Sequence, residues 1–288
     1  MLNLRLVQYK RMYAQLLWTL RNPRGGTSME VILKYQSKNN QVSWTGFEFP
    51  SSDEFDGFLR NKVTARLADI EGKTEFEQYL RGLANTGFAN ENIDKVLNAA
   101  IPEERDWAVG EALAESWLSQ EHSVVWPWNM EKDKRNPKAS LPGADLIGFQ
   151  RDGDSTVLVV GEVKTSSERK SPPGVMNGRS GMKNQLDSLA NDLSLIGQLL
   201  RWLLPRCKNT KYEPLFQSAV STYFESGNRE LALFGVLIRD TEANESDLKS
   251  RGNALSKIIC CPTRCALLAL YIPHDISSLP SYVTGGAS

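Results

Sequence analysis

The chain of 288 residues carries 34 Lys and Arg against 34 Asp and Glu, for a formal net charge of zero, and 41% of it is apolar. That length and apolar share suffice for one large domain with a core plus a smaller one. The charge balance is less basic than a stand-alone DNA binder usually has, and the longest apolar run, Ala266 to Ile272, is far too short to span a bilayer.

Residues 1 to 28 hold five bases (Arg5, Lys10, Arg11, Arg21, Arg24) and no acid, with Leu, Val, Tyr and Trp between them. The composition resembles an organellar targeting helix. It equally suits a partner-binding or DNA-contacting helix, or an extension ahead of a start at Met29. Glu30 to Tyr35 and Gln41 to Phe49 read as strands, and residues 53 to 70 and 74 to 100 as helices. Residues 1 to 100 are therefore expected to form a smaller α+β accessory region that mediates protein contacts, with residues 101 to 288 as the main domain.

Residues 104 to 121 place Trp107, Val109, Leu113, Trp117 and Leu118 on one broad stripe with helical period. Glu111 falls at the edge of that stripe and faces partly inward, while Glu115 falls further round toward solvent. A carboxylate at the margin of a buried face can reach over a sheet edge. Glu111 is thus the first candidate for an additional acid and Glu115 the second, against the plainer reading of two helix-surface glutamates. Lys132, Lys134, Arg135 and Lys138 follow in a loop-like stretch, suited to clamping phosphates or to simple solvation.

The most informative residues come next. Gly143-Ala144-Asp145-Leu146 opens the strand-like run Ala144 to Phe149, and Gly161-Glu162-Val163-Lys164-Thr165 closes the run Thr156 to Val163. Arg-Asp-Gly-Asp-Ser at 151 to 155 is turn-forming, so the two runs are expected to make a hairpin. Val157 to Val160 is continuously apolar, as in a central strand covered on both faces. Alternate side chains of a strand share a face, so Glu162 and Lys164 point the same way. Charges at the end of a buried strand need a partner or a metal. Asp145, Glu162 and Lys164 would then meet at one sheet edge, a group able to hold Mg²⁺ against a phosphodiester and steady an attacking water. A Glu-apolar-Lys triplet alone arises by chance in roughly one chain of this length in four, so its weight rests on the preceding Asp and the flanking helices.

Beyond the triplet, Arg169, Lys170, Arg179 and Lys183 form a second basic stretch beside the site, again suited to phosphate contacts or solvation. Met182 to Leu204 reads as one long helix ending before Pro205, Leu231 to Arg239 as a strand, 245 to 259 as a helix and Cys265 to Ile272 as a final strand. The last dozen residues read as a loose tail. Strands alternating with helices imply an α/β core with a sheet covered on both sides. His122 and His274 are the only histidines, which excludes chemistry needing several. The glycines at 174, 178 and 181 lack phosphate-loop spacing, so no ATP site of that kind is expected and any unwinding must come from a partner. Cys207, Cys260, Cys261 and Cys265 are poorly spaced for a metal or iron–sulfur cluster and read as reduced thiols in a cytosol.

A helix with Glu111, a strand opening at Asp145, a strand with Glu162-Val163-Lys164 and a following helix together resemble the PD-(D/E)xK nuclease superfamily, over about residues 104 to 240. Ala144 stands where the name-giving pattern has Pro, a position loosely held in the superfamily. The resemblance implies a restriction-endonuclease-like core, a mixed central sheet flanked by helices. It also implies that the helix after the triplet supplies Gln185 or Lys183. Leu189 occupies the place of the Tyr found four residues after the Gln in RecB-like members, which argues against a close relative of that type. Gly110 to Glu115, Pro142 to Phe149 and Gly161 to Ser166 further resemble the nuclease-subunit family of Hachiman antiphage systems (HamA). That narrower likeness implies a superfamily 2 helicase subunit of the HamB kind as partner, DNA as target, and a place in the bacterial cytoplasm.

On this reading Asp145 and Glu162 bind Mg²⁺, with Mn²⁺ as a possible substitute, and the main-chain carbonyl of Val163 and the carboxylate of Glu111 complete the shell. Lys164 orients the attacking water or stabilises developing charge. The expected activity is DNA cleavage coupled to, or restrained by, a helicase. The competing expectation is a catalytically silent nuclease-like module that binds DNA or regulates that helicase.

Overall fold

The computed structural model describes residues 29–83, 86–98, 106–133, 143–153 and 155–283. Strands β1 (Ile32–Asn39) and β2 (Val42–Glu48) form a hairpin whose turn uses Asn40 at φ 50°, a left-handed conformation that Asn tolerates better than most residues. Helix α1 (Asp53–Phe58) starts at Ser52, whose hydroxyl accepts the Phe55 N–H at 3.2 Å. It passes through a π-helical turn, Leu59–Val63, into the short α2 (Thr64–Leu67). The single helix expected over 53 to 70 is therefore three pieces. The one expected over 74 to 100 is two, α3 (Ile70–Leu83) and α4 (Gly87–Asn98).

Next come α5 (Asp106–His122), β3 (Val124–Val125), α6 (Met130–Asp133), β4 (Leu146–Asp152) and β5 (Ser155–Ser166). They are followed by α7 (Met182–Asn191), α8 (Leu193–Cys207), α9 (Glu213–Glu225), β6 (Leu231–Arg239), α10 (Ser246–Leu255), β7 (Arg264–Tyr271) and α11 (Leu279–Val283). The expected long helix over 182 to 204 is broken at Asp192, whose carboxylate accepts the N–H groups of Ser194 and Leu195 and so starts a second helix. Pro205 sits inside the last turn of α8 rather than beyond its end. Helix α9 was not foreseen, and residues 279 to 283 form a helix with Leu279 and Val283 buried where a loose tail was expected. No helix among the described residues is long and apolar enough to cross a membrane.

Seven strands form one mixed sheet in the order β1-β2-β7-β6-β5-β4-β3. The pairs β2/β7, β7/β6 and β6/β5 are parallel, and the outer pairs β1/β2, β5/β4 and β4/β3 are antiparallel. The centre obeys the parallel-sheet rule: all nine residues of β6, Leu-Ala-Leu-Phe-Gly-Val-Leu-Ile-Arg, are buried. The N-terminal hairpin joins this sheet, because β2 runs beside β7 from Val42↔Cys265 to Glu48↔Tyr271. The expected boundary near residue 100 therefore does not separate two sheets.

Helices cover both faces. Helices α7, α9 and α10 pack on one; α5 packs on the other, against the π-turn, α2 and α11. Two glycines set the helix approaches. A Cβ on Gly235 of β6 would stand 2.8 Å from Met182 Sδ of α7, and one on Gly110 of α5 would stand 2.9 Å from Thr165 of β5. Both helices thus lie closer to the sheet than any side chain at those positions permits.

Candidate active site

The hairpin expected from residues 151 to 155 forms, with β4 and β5 antiparallel from Leu146↔Gly161 to Asp152↔Ser155. Strand β5 runs three residues further than expected, to Ser166, so Glu162 and Lys164 lie within it. Strand β4 begins at Leu146, leaving Asp145 one residue outside. One step beyond the Leu146↔Gly161 pair, Asp145 and Glu162 stand opposite one another. The Asp145 N–H donates to Gly161 O at 3.0 Å, and its Oδ2 accepts the Val163 N–H at 2.9 Å. The carboxylate thereby replaces the missing next residue of β4 and ends the ladder. The N–H and C=O of a strand residue point to the same side, so the Val163 carbonyl is directed at this same edge.

Glu162 is 2% exposed and its Oε1 accepts from Lys164 Nζ at 2.6 Å, while Lys164 is 18% exposed. Burial, then the negative charge of Asp145, pushes the Glu162 carboxyl up to about 8, although the Lys164 ammonium pulls the other way. The second oxygen, Glu162 Oε2, is buried with no hydrogen-bond partner among the described residues. So is Oε1 of Gln185. Gln185 lies on α7 between Met182 and Leu186, the two residues that close over Gly235, and Gly235 is in register with Glu162. The helix after the triplet therefore brings Gln185 to the face that carries Glu162. Lys183 instead pairs with Asp187 of the same helix at 3.5 Å.

Of the two helix glutamates, Glu115 departs from expectation and Glu111 does not. Glu115 does not face solvent; it is fully buried and its Oε2 accepts from Arg66 Nε at 2.7 Å. The cause is the packing of α2 and the π-turn over α5, which buries this helix from Ala112 to Leu118 without a break. Glu111 is 9% exposed. It sits one residue from Gly110, on the α5 side of the sheet and across from the Glu162 face. Among the described residues no group of three or more His, Cys, Asp or Glu is gathered closely enough to hold a metal ion. Val109, Leu113, Trp117 and Leu118 of the expected stripe are buried; the Trp107 side chain lies outside the described residues.

Of the basic candidates, Lys132, Arg169, Lys170 and Arg179 are exposed and Lys183 is half-buried. Lys134, Arg135 and Lys138 lie outside the described residues, as do residues 1 to 28. Lys183 lines a hollow of about 300 Å³ together with Arg251 of α10, a cation the sequence did not single out. Its guanidinium binds the side chain of Asn177 and, at 3.4 Å, the carbonyl of Met176.

Arg239 is the largest omission of the sequence reading. It ends the apolar β6, is fully buried, and its Nη1 lies 3.2 Å from Asp247 Oδ1, itself fully buried. Its guanidinium also donates to the carbonyls of Glu168 and Lys170, in the segment that leaves β5 just past Lys164. Asp247 Oδ2 accepts from Tyr271 OH at 2.9 Å, and Tyr271 OH meets Tyr35 OH at 2.9 Å. Its only trace in the sequence is an Arg closing an eight-residue apolar run.

Comparison with protein-family models and with curated proteins finds no match for the chain.

Proposed function

We propose that the chain is a metal-dependent deoxyribonuclease with a restriction-endonuclease-like core, hydrolysing phosphodiesters at Asp145, Glu162 and Lys164. The observation that carries this reading is the pair of adjoining carboxylates on neighbouring strands at a sheet edge, with the Lys164 ammonium 2.6 Å from one of them. Two features of the pair fit a cation. Burial, with crowding of like charge from Asp145, raises the Glu162 carboxyl to about 8, and a divalent ion would relieve the crowding. Buried Glu162 Oε2 and Gln185 Oε1 lack partners, and both are hard oxygen donors of the kind Mg²⁺ or Mn²⁺ takes.

Asp145, Glu162 and the Val163 carbonyl would hold the ion, with Gln185 beside them. Such an ion, when bound, offsets charge on the scissile phosphate and lowers the pKa of a water. Lys164 supplies the proton donors that orient the attacking water and meet the charge growing on the phosphate. Asp145 also fixes the Val163 main chain. Glu111, buried across the sheet, completes the shell only by reaching round the edge. Glu115 is committed to Arg66. Arg169, Lys170, Arg179 and Lys183 would contact the DNA backbone.

The resemblance to the Hachiman nuclease subunits supports the finer proposal of an antiphage effector in the bacterial cytoplasm, working with a superfamily 2 helicase subunit. The test is plasmid cleavage in Mg²⁺ by the purified chain, alone and with a co-encoded helicase, beside Lys164→Ala. Cleavage by the parent chain that is lost in the variant and in chelator is the expected result. Identical DNA profiles from both proteins in every condition would reject catalysis. DNA or helicase binding that survives would then favour a silent binding module.

A further inference from the structure

Glu162, Lys164 and Ser166 alternate onto one face of β5, and Ser166 is in register with Arg239 at the end of β6. Arg239 therefore lies on the face of the candidate site, just past Lys164. Beyond Ser166 the chain enters residues 167 to 173, which form neither helix nor strand. Such a segment keeps one shape only where other groups hold it. Arg239 donates to the carbonyls of Glu168 and Lys170, on both sides of Arg169, the second at 3.4 Å. Ser167 Oγ donates to Asp240 Oδ2 at 2.7 Å. The Glu168 carboxylate accepts the Gly174 N–H at 2.9 Å and closes the loop on itself.

The hold by Arg239 is made from the interior. Arg239 and Asp247 are both fully buried, and Tyr271 OH fixes the other oxygen of Asp247 at 2.9 Å. Stability alone does not account for a guanidinium in this place, because an apolar pair of like volume commonly serves as well as a buried ion pair. What the guanidinium adds is a rigid fork of five donors. Its Nη1 meets Asp247, and both Nη1 and Nη2 reach loop carbonyls that no apolar side chain could hold. The loop held in this way presents two cations. Arg169 and Lys170 are exposed, and the carboxylate beside them, that of Glu168, is engaged by the Gly174 N–H.

We propose that Arg239 is a positioning residue: it grips the main chain on both sides of Arg169 and fixes Arg169 and Lys170 as a preformed phosphate contact beside the site. This role deepens the nuclease reading of that face, and it rests on the DNA contacts of that reading rather than on its chemistry. A preformed contact loses less freedom when DNA binds. Releasing the loop therefore weakens binding while Asp145, Glu162 and Lys164 stay as they are.

The test uses the full chain with two changes at the buried pair. Arg239→Met with Asp247→Leu removes both charges together, and Arg239→Lys keeps the cation but not the fork. Trypsin reads the loop itself, because its two sites there, after Arg169 and after Lys170, lie within the gripped segment. Fluorescence anisotropy with a short DNA duplex in chelator reads binding without cleavage. The parent should resist nicking at 169 and 170, and both variants should be nicked there about tenfold faster. Both should bind the duplex about fivefold more weakly, and in Mg²⁺ the loss should appear in KM with kcat kept. Arg169→Ala with Lys170→Ala should cost the parent a similar factor and the two variants almost nothing further. Rapid nicking of the parent in the loop would overturn the positioning role. So would nicking of the variants at the parent's rate, losses of affinity that simply add, or a parent that binds no duplex. Absence of cleavage by every protein, with the non-additive loss intact, would reject the nuclease reading and leave Arg239 positioning the contacts of a DNA-binding module. Thermal melts identify a variant that fails to fold, and the other variant then decides.

Discussion

Glu162→Gln is the sharpest probe of the candidate site, because it removes a titration and almost no volume. In the folded chain the carboxyl keeps its proton up to about pH 8, whereas its ordinary value is 4.5. Between these values the unfolded chain has released a proton that the folded chain still holds. The stability this group contributes is therefore complete below about pH 4.5 and lost as pH rises to about 8. At about 1.36 kcal/mol per pH unit the ceiling is about 5 kcal/mol, and sharing between two adjoining carboxyls reduces the expected loss to about 1–3 kcal/mol. Urea unfolding from pH 4.5 to 8.5 in chelator measures it. The difference between parent and variant is the readout, since other carboxylates tilt both curves alike. Glu162→Gln should gain on the parent steadily up to about pH 8, and Mg²⁺ at pH 8 should restore the parent but not the variant. Parallel curves would refute the reasoning, because they would mean that neither burial nor Asp145 opposes the charge on Glu162.

Arg239→Met should destabilise the chain by about 3–5 kcal/mol, because Asp247 stays buried without its cation; adding Asp247→Leu should recover much of the lost urea midpoint. Gly235→Val should cost about 1–3 kcal/mol by pushing α7 off β6, visible as a lower melting temperature with Gln185 displaced from the site. Glu115→Ala should cost a similar few kcal/mol by stranding Arg66 yet leave cleavage per folded molecule unchanged. Glu111→Gln should do the reverse if that carboxylate reaches the metal shell, and paired melts and plasmid assays separate the two.

What the sequence reveals here depends on how local the cause is. The β4/β5 hairpin was legible because turn residues, an apolar run and alternation all lie within 25 residues of one another. The apolar core strand β6 was legible for the same reason. The burial of Glu115 was not, because helical periodicity assumes one buried side, and it cannot see that α2 and the π-turn, some 50 residues upstream, cover the other. The break at Asp192 was written in the chain as an N-cap residue, but the apolar residues on both sides outweighed it. Arg239 escaped notice because its partners, Asp247 and the carbonyls of Glu168 and Lys170, come together only when three segments meet.

The pairing of β2 with β7 has a consequence for how the chain reaches this state. Strand β2 is complete by residue 48 and its neighbour begins at residue 264, so the hairpin must wait for more than two hundred residues before its parallel ladder can form. Contacts of such separation are slow to close, and until they do β7 is an edge. Its sequence, Arg-Cys-Ala-Leu-Leu-Ala-Leu-Tyr, is nearly all apolar and lacks the Lys, Pro or bulge that protects natural edges. A fragment cut between the hairpin and the rest would thus expose an adhesive strand, and the hairpin of residues 32–48 acts as an intramolecular guard against self-association.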